Sequence, residues 1–225
     1  MKQILILATS ALLLVQLVHA LPHTKRESVA VAVHENHVSR DASSEEDDPK
    51  LRVVAYTLGE IAVLAKYTVD KGSVVVKNAV KELNEIPVKD ELLQANITRM
   101  SRIANEVPQL EKEDEAQGII KLFEYMVDFA TLMDDYEKMP DDSKLKITIK
   151  TALENNGFSK FESEFEEKIL ALAKNFEHVF GEFLKEMTPA EKSKNSKLVQ
   201  WYEEFKAETD KEKKLDKFGE FFDLI

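Results

Sequence analysis

Between Ser159 and Met187 the apolar side chains keep a helical beat. Phe161, Phe165, Ile169, Leu172, Phe176, Phe180, Phe183 and Met187 recur every three or four residues, which places them on one face of a helix. Asn156-Gly157 suits the stop of a preceding helix, and Ser159 with Glu162 reads as a capping-box start. Two more starts follow the same pattern. Thr188, Pro189 and Glu191 read as N-cap, N1 and N3 of a helix that carries Leu198, Trp201, Tyr202 and Phe205. Thr209 with Glu212 opens a last helix bearing Leu215, Phe218, Phe222 and Ile225.

Upstream, proline does the punctuation. From Lys50 onward it occurs only at 87, 108, 140 and 189, each between apolar-periodic segments. Proline lacks an amide donor and clashes with the preceding helical turn, so these positions mark helix boundaries. Lys89–Val107 offers Leu93, Ile97, Met100, Ala104 and Val107 at helical spacing. Glu113–Lys138 offers Ile119, Phe123, Met126, Phe129 or Ala130, and Met133, and Ser143–Asn155 a shorter set around Leu145, Ile149 and Leu153. Lys50–Ile86 has two readings. Val54, Leu58, Ile61, Ala65, Thr68, Gly72, Val75 and Ala79 keep a helical step, yet Asp70-Lys71-Gly72 between Val-rich runs would also turn a hairpin. The helical reading gives an all-α fold, a multi-helix bundle of about six to seven helices.

The chain's beginning has a different character. Lys2 followed by the apolar stretch Ile4–Val18 and the small residues of Val18-His19-Ala20 reads as an export signal cut after Ala20. The apolar run is short for a membrane span, and no later segment qualifies as one. Residues 21–49 combine scattered His, the dibasic pair Lys25-Arg26, and Ser43-Ser44 before the acid run Glu45–Asp48. Low hydrophobicity with clustered charge cannot offset the entropy of ordering, so a flexible acidic leader, a candidate pro-segment, is expected. Lys25 and Arg26 are candidates for proteolytic processing, and Ser43 and Ser44 for acid-directed phosphorylation. The helical domain then runs 50–225. All twelve Phe lie after residue 120, which leaves open either one bundle or two subdomains, 50–110 and 111–225.

An exported chain meets an oxidising compartment where disulfides persist, yet this one has no cysteine. Its stability must come from packing. A chain of this length, 44% hydrophobic, buries enough surface for that. A formal net charge of -11 repels phosphate backbones and anionic headgroups, so nucleic acid is not an expected partner.

The same inventory removes most catalytic and cofactor chemistry. No phosphate-cradling glycine loop and no G-x-S-x-G can be written, and thiol catalysis and cysteine-zinc sites need residues the chain lacks. Past the signal, histidines remain at 23, 34, 37 and 178 only. His178 lies mid-helix beside Phe176, Val179 and Phe180, where it reads as a boundary residue rather than a general base. His34-Glu35-Asn36-His37 is one residue too short for the zincin spacing, and Pro22 ahead of His23 has no amide to offer Cu(II) or Ni(II). No catalytic, metal or cofactor residue is assigned. Asn96-Ile97-Thr98 is the sole N-glycosylation sequon.

Two functions fit these residues. Export signal, leader and helical body form a layout that resembles exported effectors of pathogens, the oomycete kind included, although Arg40 is followed by Asp41-Ala42-Ser43 rather than by the R-x-L-R motif. That layout implies a secreted, non-enzymatic protein acting on a macromolecular partner. The alternative is an extracellular carrier of a fatty acid, retinoid or other small apolar ligand, similar in composition to secreted helical lipid binders of invertebrates. Phe123, Met126, Phe129, Phe161, Phe165, Phe176, Phe180 and Phe183 would then line the pocket.

Overall fold

A computed structural model describes residues 49–107, 115–221 and 224. Among them every regular element is helical: α1 (Pro49–Tyr67), a π-helical turn (Thr68–Gly72), α2 (Ser73–Asn84), α3 (Glu91–Asn105), α4 (Glu115–Glu137), α5 (Lys144–Asn155), α6 (Phe158–Glu186), α7 (Pro189–Lys194), α8 (Ser196–Ala207) and α9 (Lys211–Glu220). The export signal with its Ala20 cut, the leader with Lys25, Arg26, Ser43 and Ser44, and Pro108 lie outside the described residues.

The ambiguous Val-rich segment is one continuous helical rod, so the hairpin alternative fails. Asp70-Lys71-Gly72 falls inside the π turn, where the chain widens without breaking, and the Ser73 amide donates back to Thr68 O. Small residues explain why the rod can run through the middle of the molecule. Ala65 and Ala79 are fully buried, and a Cβ on Gly72 would stand 2.9 Å from two ring atoms of Phe129 and 3.2 Å from Phe161. No other side chain fits there. The eight periodic residues read from this segment all face inward.

Around the rod, α1 packs on α4 and α6, and α2 on α3 and α5. Helix ends are closed largely by local chemistry. Asp90 accepts from the Leu93 amide at 2.8 Å and Ser143 from Lys146 at 3.1 Å, each satisfying a first-turn donor. Two lysines close C-terminal ends. Lys89 Nζ donates to Asn84 O and Ile86 O after α2. Buried Lys146 Nζ donates to Glu137 O at 2.7 Å, Met139 O at 3.0 Å and Asp141 Oδ1 at 2.7 Å after α4. A buried ammonium is costly unless its three protons are bonded, and here all three are.

Three sequence expectations need correction. The start of α6 is not a Ser159–Glu162 box: Gly157, at φ 90°, is the N-cap, so the helix begins a residue before Ser159, whose hydroxyl donates to Glu154 instead. The last helix is capped by Asp210, which accepts from the Lys213 amide at 3.0 Å, not by Thr209. A carboxylate also suits the positive end of the helix dipole. The Thr188–Glu191 box is present, but its helix stops at Asn195, whose amide side chain turns back to Glu191 O. The chain restarts as α8. This split, with the α1–α2 rod counted once, makes eight rods among the described residues rather than six to seven.

Candidate functional site

α6 is 29 residues long, about 43 Å at the helical rise, and its two halves hold two aromatic clusters. In the first half Phe161 stacks on Tyr67 at 5.7 Å and meets Phe129 edge-on at 5.6 Å, with Phe158 and Phe165 beside it. In the second half Phe176 touches the rings of Phe180, Trp201, Phe205, Phe218 and Phe221 at 4.9–6.0 Å. Tyr202 and Phe183 flank Phe180.

The eight residues read as a ligand lining are therefore all buried, but they divide. Phe129 and Phe161 border the π turn, Phe165 packs beside Phe161, and Phe123 and Met126 lie on α4 with Phe129. Phe176, Phe180 and Phe183 belong to the aromatic cluster under α8 and α9. Edge-to-face contacts of this kind fill space and each add about 0.5–1.5 kcal/mol beyond area burial.

The second cluster carries a concave surface. Lys197, Gln200, Trp201, Glu204, Glu220 and Leu224 line a groove of about 280 Å³. Its floor is Trp201, held from three sides: stacked on Phe205 at 5.3 Å and 12°, edge-on to Phe180, and donating from Nε1 to Lys217 O at 2.8 Å. Its rim is charged and pre-organised. Lys217 Nζ reaches Glu204 Oε2 at 2.9 Å, and Gln200 Nε2 donates to Glu204 Oε1 at 3.1 Å. Those bonds hold the Glu204 carboxyl below its ordinary range, and Glu204 in turn raises Lys217. Both charges therefore persist across the neutral range. An aromatic floor with a polar rim is the usual make-up of a recognition surface, and this volume admits a side chain or a short segment rather than a large ligand.

The groove is only partly legible in the sequence, because the helical spacing places Trp201 with Leu198, Tyr202 and Phe205 without showing which chain segment meets it. The signal was there in part: Gln200 and Glu204 share an i,i+4 edge flanking a tryptophan. Lys146 is not legible, since nothing in a Lys-x-Lys repeat tells which ammonium turns inward.

Other candidates are placed simply. His178 is exposed rather than at a boundary. Asn96 lies half-buried on α3, its Nδ2 donating to Leu92 O at 2.9 Å. Among the described residues no three His, Asp or Glu gather as metal ligands, and no helix is long and apolar enough to cross a membrane. Neither a known protein family, nor a curated protein, nor a solved structure matches the chain.

Proposed function

We propose that the chain is a secreted, non-enzymatic interaction protein, effector-like in layout, whose helical body engages a macromolecular partner. The reading is supported by how the aromatic side chains are used: they pack ring against ring, and Trp201 brings that cluster to a charged groove at the surface. A partner side chain entering the groove would rest on the one edge that the buried Trp201 leaves uncovered while its polar atoms meet Glu204, Lys197 or Glu220. Tryptophan in such a setting is a typical energetic anchor of an interface.

The test uses protein purified from its natural secretion. Native mass spectrometry is expected to show the processed chain with no small apolar ligand retained, and a fluorescent fatty acid is expected to bind weakly or not at all. A photo-crosslinker at Gln200 is expected to trap a protein, and Trp201→Ala to abolish that adduct. A co-purifying apolar molecule that leaves when Phe176 or Phe161 is altered would replace this reading with the carrier of fatty acids or retinoids.

A further inference from the structure

We propose that Asn96 carries an N-linked glycan whose first sugars lie over Leu92, shielding an apolar side chain that the described residues leave exposed; this rests on the export reading above. Val88 is 86% exposed and Leu92 67%, the two most exposed large apolar side chains among the described residues. Both lie within eight residues of the chain's sole sequon, Asn96-Ile97-Thr98. Leu92 and Asn96 are one turn apart on the same edge of α3, so their side chains are neighbours. Ile97 points the other way, into the core at 2% exposure, so a sugar on Asn96 need not disturb the packing. A carbohydrate's C–H face is well suited to cover a leucine while its hydroxyls stay in water.

The hydrogen bonds also determine when modification takes place. In the folded helix Asn96 Nδ2 donates to Leu92 O and Thr98 Oγ1 to Gln94 O, both at 2.9 Å. Residues two apart on a helix do not face each other, so the Thr98 hydroxyl cannot assist at the Asn96 amide once α3 has formed. Transfer therefore precedes helix closure. A lipid-diphosphate-linked oligosaccharide supplies the sugar: its C1–O bond breaks as the Asn96 Nδ2–C1 bond forms. The lipid diphosphate leaves with the electron pair, and Nδ2 gives up one proton. The amide keeps its second N–H, which still serves Leu92 O when α3 folds.

The experiment expresses the full chain in a eukaryotic secretory host twice, once with its own residues 1–20 and once with a foreign signal in their place. The secreted protein is expected to lose mass on peptide-N-glycosidase digestion, with Asn96 converted to Asp, and Thr98→Ala is expected to remove that shift. Digestion of the folded protein, which leaves every apolar side chain unchanged, is expected to raise binding of an apolar fluorescent dye. Leu92→Ser in the digested protein is expected to bring the signal back down. A secreted chain with unmodified Asn96 overturns the proposal, and equal dye binding before and after digestion overturns the shielding role. Retention of the first form in the cell with Met1 in place counts against export alone, because the foreign-signal arm still reads the glycan.

Discussion

The two halves of α6 solve the same packing problem in different ways. Its first half lies against a rod of Val, Ala, Thr and Gly, and Phe161 and Phe129 are seated where Gly72 gives them room. Its second half lies under short helices that contribute rings: Trp201, Tyr202, Phe205, Phe218 and Phe221. The first region combines small residues with aromatics, so the helix backbones come close and several long helices share one core. The second combines aromatics with aromatics, and α8 and α9 pack chiefly on α6 and on each other. Close backbone approach makes the first region intolerant of added atoms. Dependence on a few large rings makes the second intolerant of lost ones.

The largest effect expected from this difference comes from Phe176→Ala. Phe176 has no exposed surface and touches five aromatic rings, so truncation should cost about 3–5 kcal/mol. The loss should be local. Hydrogen exchange is expected to lose most protection in α8 and α9, while α2 and α3, which pack on each other rather than on α6, keep theirs. Phe161→Ala should cost a similar amount but lower protection throughout α1, α4 and α6. Uniform loss in both variants would mean that the clusters unfold as one unit.

Added atoms sharpen the contrast. Alanine in a helix is favoured over glycine by about 0.5–1 kcal/mol, yet Gly72→Ala should destabilise by about 1–3 kcal/mol, because two packed rings must move. Gly181→Ala meets a different obstacle. Its Cβ would fall 2.5 Å from the Tyr202 hydroxyl, which donates to Glu177 O at 2.9 Å. That hydroxyl is the end of a side chain, so its displacement should cost one hydrogen bond, about 1 kcal/mol, before the helix-propensity gain. Thermal melts of the two variants should rank in that order; Gly72→Ala melting above the parent protein would remove the close-approach argument.

How far these features could be read from residues follows from their range. Stripes such as Phe161–Phe183 and Val54–Ala79 are local patterns, and their inward faces are as the periodicity predicts. Pro87, Pro140, Pro189 and the Thr188–Glu191 box act within one turn, so those boundaries also read correctly. Ser159 and Thr209 misled because each had a stronger competitor beside it, a left-handed Gly157 and a carboxylate at Asp210. The π turn, the inward Lys146 and the Trp201 groove depend on which distant element arrives. Phe129 must reach Gly72, and the Lys217 carbonyl must reach Trp201, before either has meaning.

A smaller effect of opposite sign is expected at the seam of the first region. Tyr125 is 5% exposed, and its hydroxyl lies beside that of Ser73 without the geometry of a full hydrogen bond. The neighbouring Ser73 hydroxyl is turned to Val69 O. A buried donor left unsatisfied is a net cost, so Tyr125→Phe should be neutral to stabilising by about 1 kcal/mol. Its counterpart Tyr202→Phe loses the bond to Glu177 O and should be destabilising by a like amount. Chemical denaturation midpoints would separate the two, and a loss at Tyr125 would reveal a partner for its hydroxyl.

The smallest effect at neutral pH is the most general one. All five tyrosines of the chain, Tyr56, Tyr67, Tyr125, Tyr136 and Tyr202, have hydroxyls raised above the ordinary value of 10.0. Burial is the first cause in each; Glu164 adds to it at Tyr67, Glu137 at Tyr136 and Glu177 at Tyr202. Tyr125 and Tyr136 are pushed up to about 12. A folded state that holds its protons more tightly than the unfolded chain loses stability as pH rises. This contribution is whole below pH 10.0 and is spent by about 12 at Tyr125 and Tyr136. Tyrosinate absorbance should therefore lag behind that of the denatured chain on alkaline titration, then appear cooperatively as helicity falls. If a tyrosine of the folded protein titrates at its ordinary value, single-tyrosine variants will show which region holds it, and hence which of the two cores is open to water.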